Sequence, residues 1–177
     1  MIARTEQDQE QILKTRALEL ARETDQAKAA EPALHIVEFV VGHERYGIEF
    51  CYVSEIAALK ELTPVPCTPS FVRGIINLHG QILSVIDLQK FFGLAENGLT
   101  DLNKVLILQS DSMQFGILAD AIIGTASIPM SQLLPSFPTR GSAEKYLRGT
   151  TKERAVILNA AKLLSDNKLI VHEKVTT

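Results

Sequence analysis

The chain repeats itself, and this constrains its fold more than any other feature. Tyr46-Gly47-Ile48 returns as Phe115-Gly116-Ile117, Val72-Arg73-Gly74 returns as Leu147-Arg148-Gly149, and Val85 to Phe92 resembles Ile157 to Leu164, with Lys90 opposite Lys162. The offsets are 69, 75 and 72 residues. Chance matches scatter, whereas a nearly constant offset marks one supersecondary unit used twice. A chain of 177 residues has room for two such units of roughly 60 residues. Units of that size bury too little surface to be stable alone, so the two are expected to pack over an apolar seam and leave a groove at their junction.

The local signals inside each unit are those of short strands. Val37, Phe39 and Val41 alternate with Glu38 and Val40, Gly42 to Arg45 supplies a turn, and Tyr46 to Phe50 returns as a second strand. Val53, Ile56 and Ala57 sit at helical spacing and predict a single helical turn ahead of the proline-rich segment Thr63 to Pro69. Gly74 to Leu78 and Gln81 to Asp87 flank a tight His79-Gly80 turn, and Leu88 to Phe92 reads as a short helix closed by Gly93. After a polar stretch from Ala95 to Asp101 the pattern restarts, with strands at Lys104 to Ser110, Met113 to Ala119 and Ala121 to Ile128, then Tyr146 to Thr150 and Ala155 to Leu158, and a closing helix at Ala160 to Leu164. About five strands and a helical turn per unit is the inventory of a small barrel that removes its sheet edges by closing. The expected fold is all-β with a few short helices: two five-stranded SH3-like barrels packed together, plus an N-terminal helix.

That helix is expected within residues 1 to 31, where Leu13, Ala17, Leu20, Thr24 and Ala27 recur at alternating spacings of four and three before Pro32. The apolar stripe is thin and predicts a loosely docked element. Residues 166 to 177 read as a tail.

Composition narrows the function. A net charge of −3 without clustered Lys or Arg argues against nucleic acid as a partner. The longest apolar run, Ala155 to Leu164, is interrupted by Asn159 and Lys162 and falls far short of the roughly 20 residues a membrane span requires. The N-terminus is too polar for a signal peptide. Cys51 and Cys67 form no disulfide framework and are expected to be small apolar fillers in a reducing cytosol. His35, His43, His79 and His172 form no spaced pair suited to a tetrahedral metal, and nothing calls for a cofactor. Asp87 and Asp120 each end an apolar strand; a small hydrolase pairing them as acid and base is one reading. Turn-capping carboxylates in separate halves is the stronger one.

The stretch Gly74-Ile75-Ile76-Asn77-Leu78-His79-Gly80-Gln81-Ile82-Leu83-Ser84-Val85-Ile86-Asp87-Leu88 closely resembles the signature of the CheW family of chemotaxis coupling proteins. Phe39, Tyr46-Gly47-Ile48, Val53 to Ile56, Thr63-Pro64-Val65-Pro66, Phe115-Gly116-Ile117, Asp120 and Val156 to Leu164 fall in order where that family's pattern places them. The resemblance spans residues 35 to 165. It implies two intertwined barrels, about 35–94 and about 102–165, that bridge the cytoplasmic tips of methyl-accepting chemoreceptors to a CheA-type sensor histidine kinase. It also implies a protein that catalyses nothing and stays cytoplasmic, beside membrane receptor arrays without entering the membrane.

By the same resemblance, the kinase's regulatory domain docks on an apolar patch at Val37, Phe50, Val53 and Ile56, and the receptor meets Glu55, Gly74, Asn77, His79 and Gly80. One departure stands out. The family usually has Arg at the position of His79, able to pair with an acidic residue at the position of Glu55. Imidazole is shorter, offers no bidentate fork and changes charge near neutral pH. The expectation is an altered or pH-sensitive receptor contact in a divergent member, serving a pilus or another non-flagellar chemosensory array. A module related to the kinase's own regulatory domain, which shares this fold, is the remaining rival; the sequence carries no phosphorylatable-histidine helix or ATP-binding glycine motif to favour it.

Overall fold

The computed structural model describes residues 31–94, 104–135 and 143–169. The helix expected in the N-terminal extension lies outside the described residues. In chain order the elements are β1 (Ala33–Val41), β2 (Glu44–Glu49), a 3-10 turn at Phe50–Tyr52, β3 (Val53–Ala58), β4 (Val72–Leu78), β5 (Gln81–Ile86) and helix α1 (Leu88–Phe92). The second repeat supplies β6 (Lys104–Gln109), β7 (Gln114–Ala119), β8 (Ala121–Pro129), 3-10 turns at Met130–Gln132 and Glu144–Tyr146, β9 (Leu147–Thr150), β10 (Val156–Leu158) and α2 (Ala160–Leu164).

These strands form two five-stranded sheets, ordered β8-β1-β2-β10-β9 and β3-β6-β7-β5-β4. The orders are the same once the repeats are superposed: strands one and two of one repeat lie between strand three and strands five and four of the other. The intertwining is therefore reciprocal. It corrects the division at about 35–94 and about 102–165, because neither sheet is built from one continuous half of the chain. It also corrects closure. Pairing in each sheet ends at two edge strands that do not pair with each other, so the SH3-like sheets are open rather than sealed barrels.

The repeated glycines mark where the repeats cross. β10 runs parallel to β2 with Ile157 beside Gly47, and β5 runs parallel to β7 with Val85 beside Gly116. A Cβ on Gly47 would fall 2.7 Å from the Cδ1 atoms of both Ile36 and Ile157, and one on Gly116 would fall 2.5 Å from Val105 Cγ1. A side chain on Gly47 would press on the crossing strand through Ile157, whereas one on Gly116 would press on Val105 of the neighbouring β6, with Val85 of the crossing strand 3.4 Å away. Gly74 and Gly149 form the other repeated pair. Each lets a returning loop approach, with Thr63 bridging Ile75 and Leu134 bridging Thr150, and a Cβ would fall 2.3 Å and 2.6 Å from the carbonyl oxygens of Thr63 and Leu134.

The largest core cluster draws on both sheets, with Phe39, Tyr46 and Ile48 on one and Leu106, Leu108 and Ile117 on the other, and it takes in Leu88, Phe92, Leu163 and Leu164 from the two helices. This is the apolar seam the repeat demanded. Each sheet also keeps a small cluster of its own, around Val85, Val105 and Ile107 in one and Ile36, Ile128 and Ile157 in the other. Each fully buried Ile or Leu contributes about 1.5–3 kcal/mol.

Helix α1 is capped where the sequence places its caps, and α2 has an N-cap of its own. Asp87 Oδ1 accepts from the backbone N–H of Gln89 at 3.0 Å and of Lys90 at 3.2 Å, and Asn159 Oδ1 accepts from Lys162 N at 3.0 Å. Gly93 closes α1 in the left-handed region. Past α2 the chain does not run free at once. Leu169 is buried in the shared core, and Asp166 accepts from Tyr146 Oη and from Lys145 Nζ.

Two local expectations are overturned. Residues 53 to 58 form strand β3, antiparallel to β6, and the helical turn sits just before them at Phe50–Tyr52. A bulge between Val53 and Glu55 breaks the two-residue alternation, so the apolar residues fall three apart and imitate a helix. Cys51 and Cys67 are both exposed and fill no core space.

Candidate functional site

Strand β3 carries candidate groups on both faces. Phe50 opens the 3-10 turn that leads into β3, with 54% of its surface exposed, and Ile56 on β3 is 42% exposed. Val53 is half-buried and packs on the shared core. Val37, expected on the same patch, is only 1% exposed and belongs to that core. Its place on β1 between buried Ile36 and half-buried Glu38 faces it to the seam, so it offers nothing to a partner. The exposed part of the patch is Phe50 and Ile56.

The opposite face of β3 turns Glu55 and Ala57 toward β4. The β4–β5 hairpin closes through His79 (φ 53°) and Gly80 (φ 85°), both in the left-handed region that a tight two-residue turn requires. Asn77 Oδ1 accepts from Gly80 N at 2.9 Å and holds the turn. From it His79 reaches back to Glu55, with Nε2 at 3.2 Å from each carboxylate oxygen. Asn77, His79 and Gly80 are exposed. Gly74 is buried under Thr63, and the close approach of that backbone accounts for the glycine.

β3 and β4 are the two edges of their sheet. Between them lies a groove of about 580 Å³, lined by Ala57, Leu59, Ile76 and Leu78 and flanked by Glu55 and His79. A second hollow of about 470 Å³ lies beside Phe50, against His35, Ile36 and Thr125 to Ser127.

The sequence reading missed Ile82, which is 61% exposed and paired in register with Asn77. The signal was present. A two-residue turn at 79–80 fixes the parity of β5, so if Leu83 and Val85 point inward then Ile82 points outward. Ile123, Met130 and Leu134 are likewise exposed along and after the edge strand β8.

The carboxylates considered for catalysis are engaged with backbone. Asp87 caps α1, and Asp120 Oδ2 accepts from Gly42 N at 2.6 Å, fastening the β1–β2 turn. Their strands, β5 and β7, are neighbours in one sheet, which corrects the expectation of separate halves; it is capping duty rather than distance that distinguishes them from an acid–base pair. Among the described residues no group of three or more His, Cys, Asp or Glu is placed to hold a metal ion, and no helix is long and apolar enough to cross a membrane.

The titratable groups with displaced pKa values lie elsewhere. Burial raises the Tyr46 phenol, with further push from the Glu44 carboxylate that accepts its hydroxyl at 2.6 Å. Burial also acts to raise Asp166, but hydrogen bonds from Lys145, Tyr146 and Lys168 N outweigh it and bring the carboxyl down to about 2. Both fasten structure.

Open SH3-like sheets sharing one core, with Phe50 exposed on the turn before an edge strand, Ile56 exposed on that strand and a polar clasp over a groove on its other face, fit a scaffold that presents surfaces to other proteins. The chain belongs to the CheW-like domain family, whose pattern matches residues 35–168. It is 30% identical over 142 residues to the chemotaxis protein CheW of Treponema pallidum, covering 76% of this chain and 84% of the relative. To protein FrzA of Myxococcus xanthus it is 31% identical over 143 residues, covering 78% and 89%. Among solved structures, the scaffolding protein TtCheW from Thermoanaerobacter tengcongensis is similar, with a TM-score of 0.64 at 28% identity over 73% of this chain and 86% of that one.

Proposed function

We propose that this chain is a cytoplasmic adaptor that couples chemoreceptors to a CheA-type histidine kinase, using the two faces of β3 for the two partners. Phe50 and Ile56 anchor the kinase's regulatory domain. Glu55, Asn77, His79 and Gly80, with Ile82 added from the hairpin, meet the cytoplasmic tip of the receptor. The observation that carries this reading is the alternation along β3: Ile56 is exposed outside the groove while Glu55 and Ala57 line it. One strand thereby places two partners side by side without catalytic chemistry of its own. A few aromatic and aliphatic anchors dominate the affinity of interfaces of this size.

The test is co-purification with a kinase regulatory domain from the same genome, repeated with Ile56→Glu. Loss of the kinase with an unchanged melting temperature supports the assignment, and retained binding removes Ile56 from the interface. Receptor affinity of the wild type and His79→Ala, compared at about pH 6 and about pH 8, tests the other face. Equal values throughout would exclude His79 from the contact.

A further inference from the structure

The sheet β3-β6-β7-β5-β4 is open between β3 and β4. Glu55 projects from one edge and His79 from the end of the other, and their contact spans the opening. The imidazole is not carried on a loose loop. Its turn is a two-residue hairpin with both φ values positive, and Asn77 Oδ1 holds Gly80 N. The hydrogen bonds of Thr63 N to Ile75 O at 2.9 Å and of Ile75 N to Thr63 O at 2.8 Å tie β4 to the loop that follows β3. The opening is thus fastened at one place by backbone and at another by a side-chain pair that contains a histidine.

We propose that Glu55 and His79 form a proton-operated clasp on the groove between β3 and β4. With the imidazole protonated, the ion pair holds β3 to the hairpin and keeps the groove narrow; with the proton lost, a neutral ring retains at most one ordinary hydrogen bond and β3 loosens. An imidazole can carry or release its proton near neutral pH, which a guanidinium at this position could not do. Among the described residues, the other charged groups on the groove are Lys60 and Glu61, one of each sign, from the segment after β3. The hairpin tip adds none, since Asn77, Leu78, Gly80 and Gln81 are uncharged.

The strength of the clasp follows from its exposure. His79 is 76% exposed, and pairs so open to water shift an equilibrium by no more than about fivefold. The device therefore biases the width of the groove rather than switching the fold. It is a property of this chain alone and stands or falls apart from the adaptor reading.

Hydrogen exchange of the β3 amides, at about pH 5.5 and about pH 8 and corrected for intrinsic rates, tests the clasp. Wild type, His79→Arg and His79→Asn are compared; asparagine tolerates the left-handed backbone at this position and removes the ring. In the wild type, opening of residues 53–58 relative to the rest of the sheet rises about two- to fivefold as the proton is lost. His79→Arg stays protected and His79→Asn stays open, both independent of pH. A flat wild type, or the same rise in His79→Asn, overturns the proposal.

Discussion

Ile157 lies in register beside Gly47, on a parallel strand contributed by the other repeat, and Val85 stands beside Gly116 in the same way. Each repeat thus fills a slot in the other's sheet; at Gly47 the slot exists because the central residue of the Tyr-Gly-Ile motif lacks a side chain, while at Gly116 the space is taken up by Val105 of β6, with Val85 3.4 Å away. Gly47→Ala places a methyl group 2.7 Å from Ile36 and Ile157. Overpacking of this kind costs about 1–3 kcal/mol. Denaturant unfolding should show the loss for Gly47→Ala and Gly116→Ala alike, whereas Gly80→Ala, with nothing within 4 Å of a Cβ, is governed by backbone strain alone.

Asp87 is buried, and its carboxylate is committed to two backbone N–H groups of α1. Removing a cap of this kind costs about 0.5–2 kcal/mol. Asp87→Ala should lower the unfolding free energy by that amount and Asp87→Asn by less, because an amide oxygen still accepts. Equal losses in the two variants would place the value of Asp87 in its charge.

Much of this was legible in the chain itself, and the misreadings share a cause. Helix α1 begins and ends where its Asp87 and Gly93 signals put it, because caps act over three or four residues; the Asn159 cap of α2 is equally local but reads in the sequence as a break in an apolar run. The His79-Gly80 turn was equally local; the contact of His79 to Glu55 spans 24 residues, and the resemblance implies that pairing only for the arginine that His79 replaces. The exchange of strands between repeats was not readable from periodicity. The alternation of β5 is the same whether it lies beside β7 or beside a strand of its own repeat, and only Gly47 and Gly116, each facing an isoleucine or valine from the other half, hinted at a close crossing. The mistaken helical turn at 53–57 came from the bulge after Val53, a one-residue defect that apolar spacing reports as a change of period. Val37 was placed on a partner patch by resemblance, where its alternation with Glu38 already faced it to the core.

Asp166 gives a dependence on acid. Its carboxyl titrates at about 2 in the folded chain, below the ordinary value of 3.8. A depressed carboxylate stabilises the fold at any pH above its unfolded value, and that contribution disappears as pH falls from about 4 through about 2. Because Lys145 is half exposed, the contribution is about 1 kcal/mol or less. Asp166→Asn should remove this part of the acid limb in thermal melts recorded between about pH 2 and about pH 5, leaving stability above that window lowered by the same small amount.

Val37 and Ile56 provide the sharpest separation of core from contact surface, since both are β-branched aliphatic residues assigned by resemblance to one patch. Val37 is 1% exposed and sits in the shared core, while Ile56 is 42% exposed on β3. Val37→Ala removes buried methyl groups and leaves a void, a change that costs about 1–3 kcal/mol for side chains of this size. Ile56→Ala exposes no new cavity and should change stability by less than about 0.5 kcal/mol. Binding of a kinase regulatory domain should respond in the opposite order: weakened about tenfold or more by Ile56→Ala if Ile56 is an anchor, and unchanged by Val37→Ala at temperatures where that variant remains folded. Titration calorimetry alongside denaturant unfolding measures both quantities on the same samples. A Val37→Ala variant that stays stable but loses the kinase would move the interface inward from β3 to β1, and would mean that the sheet opens when the partner binds.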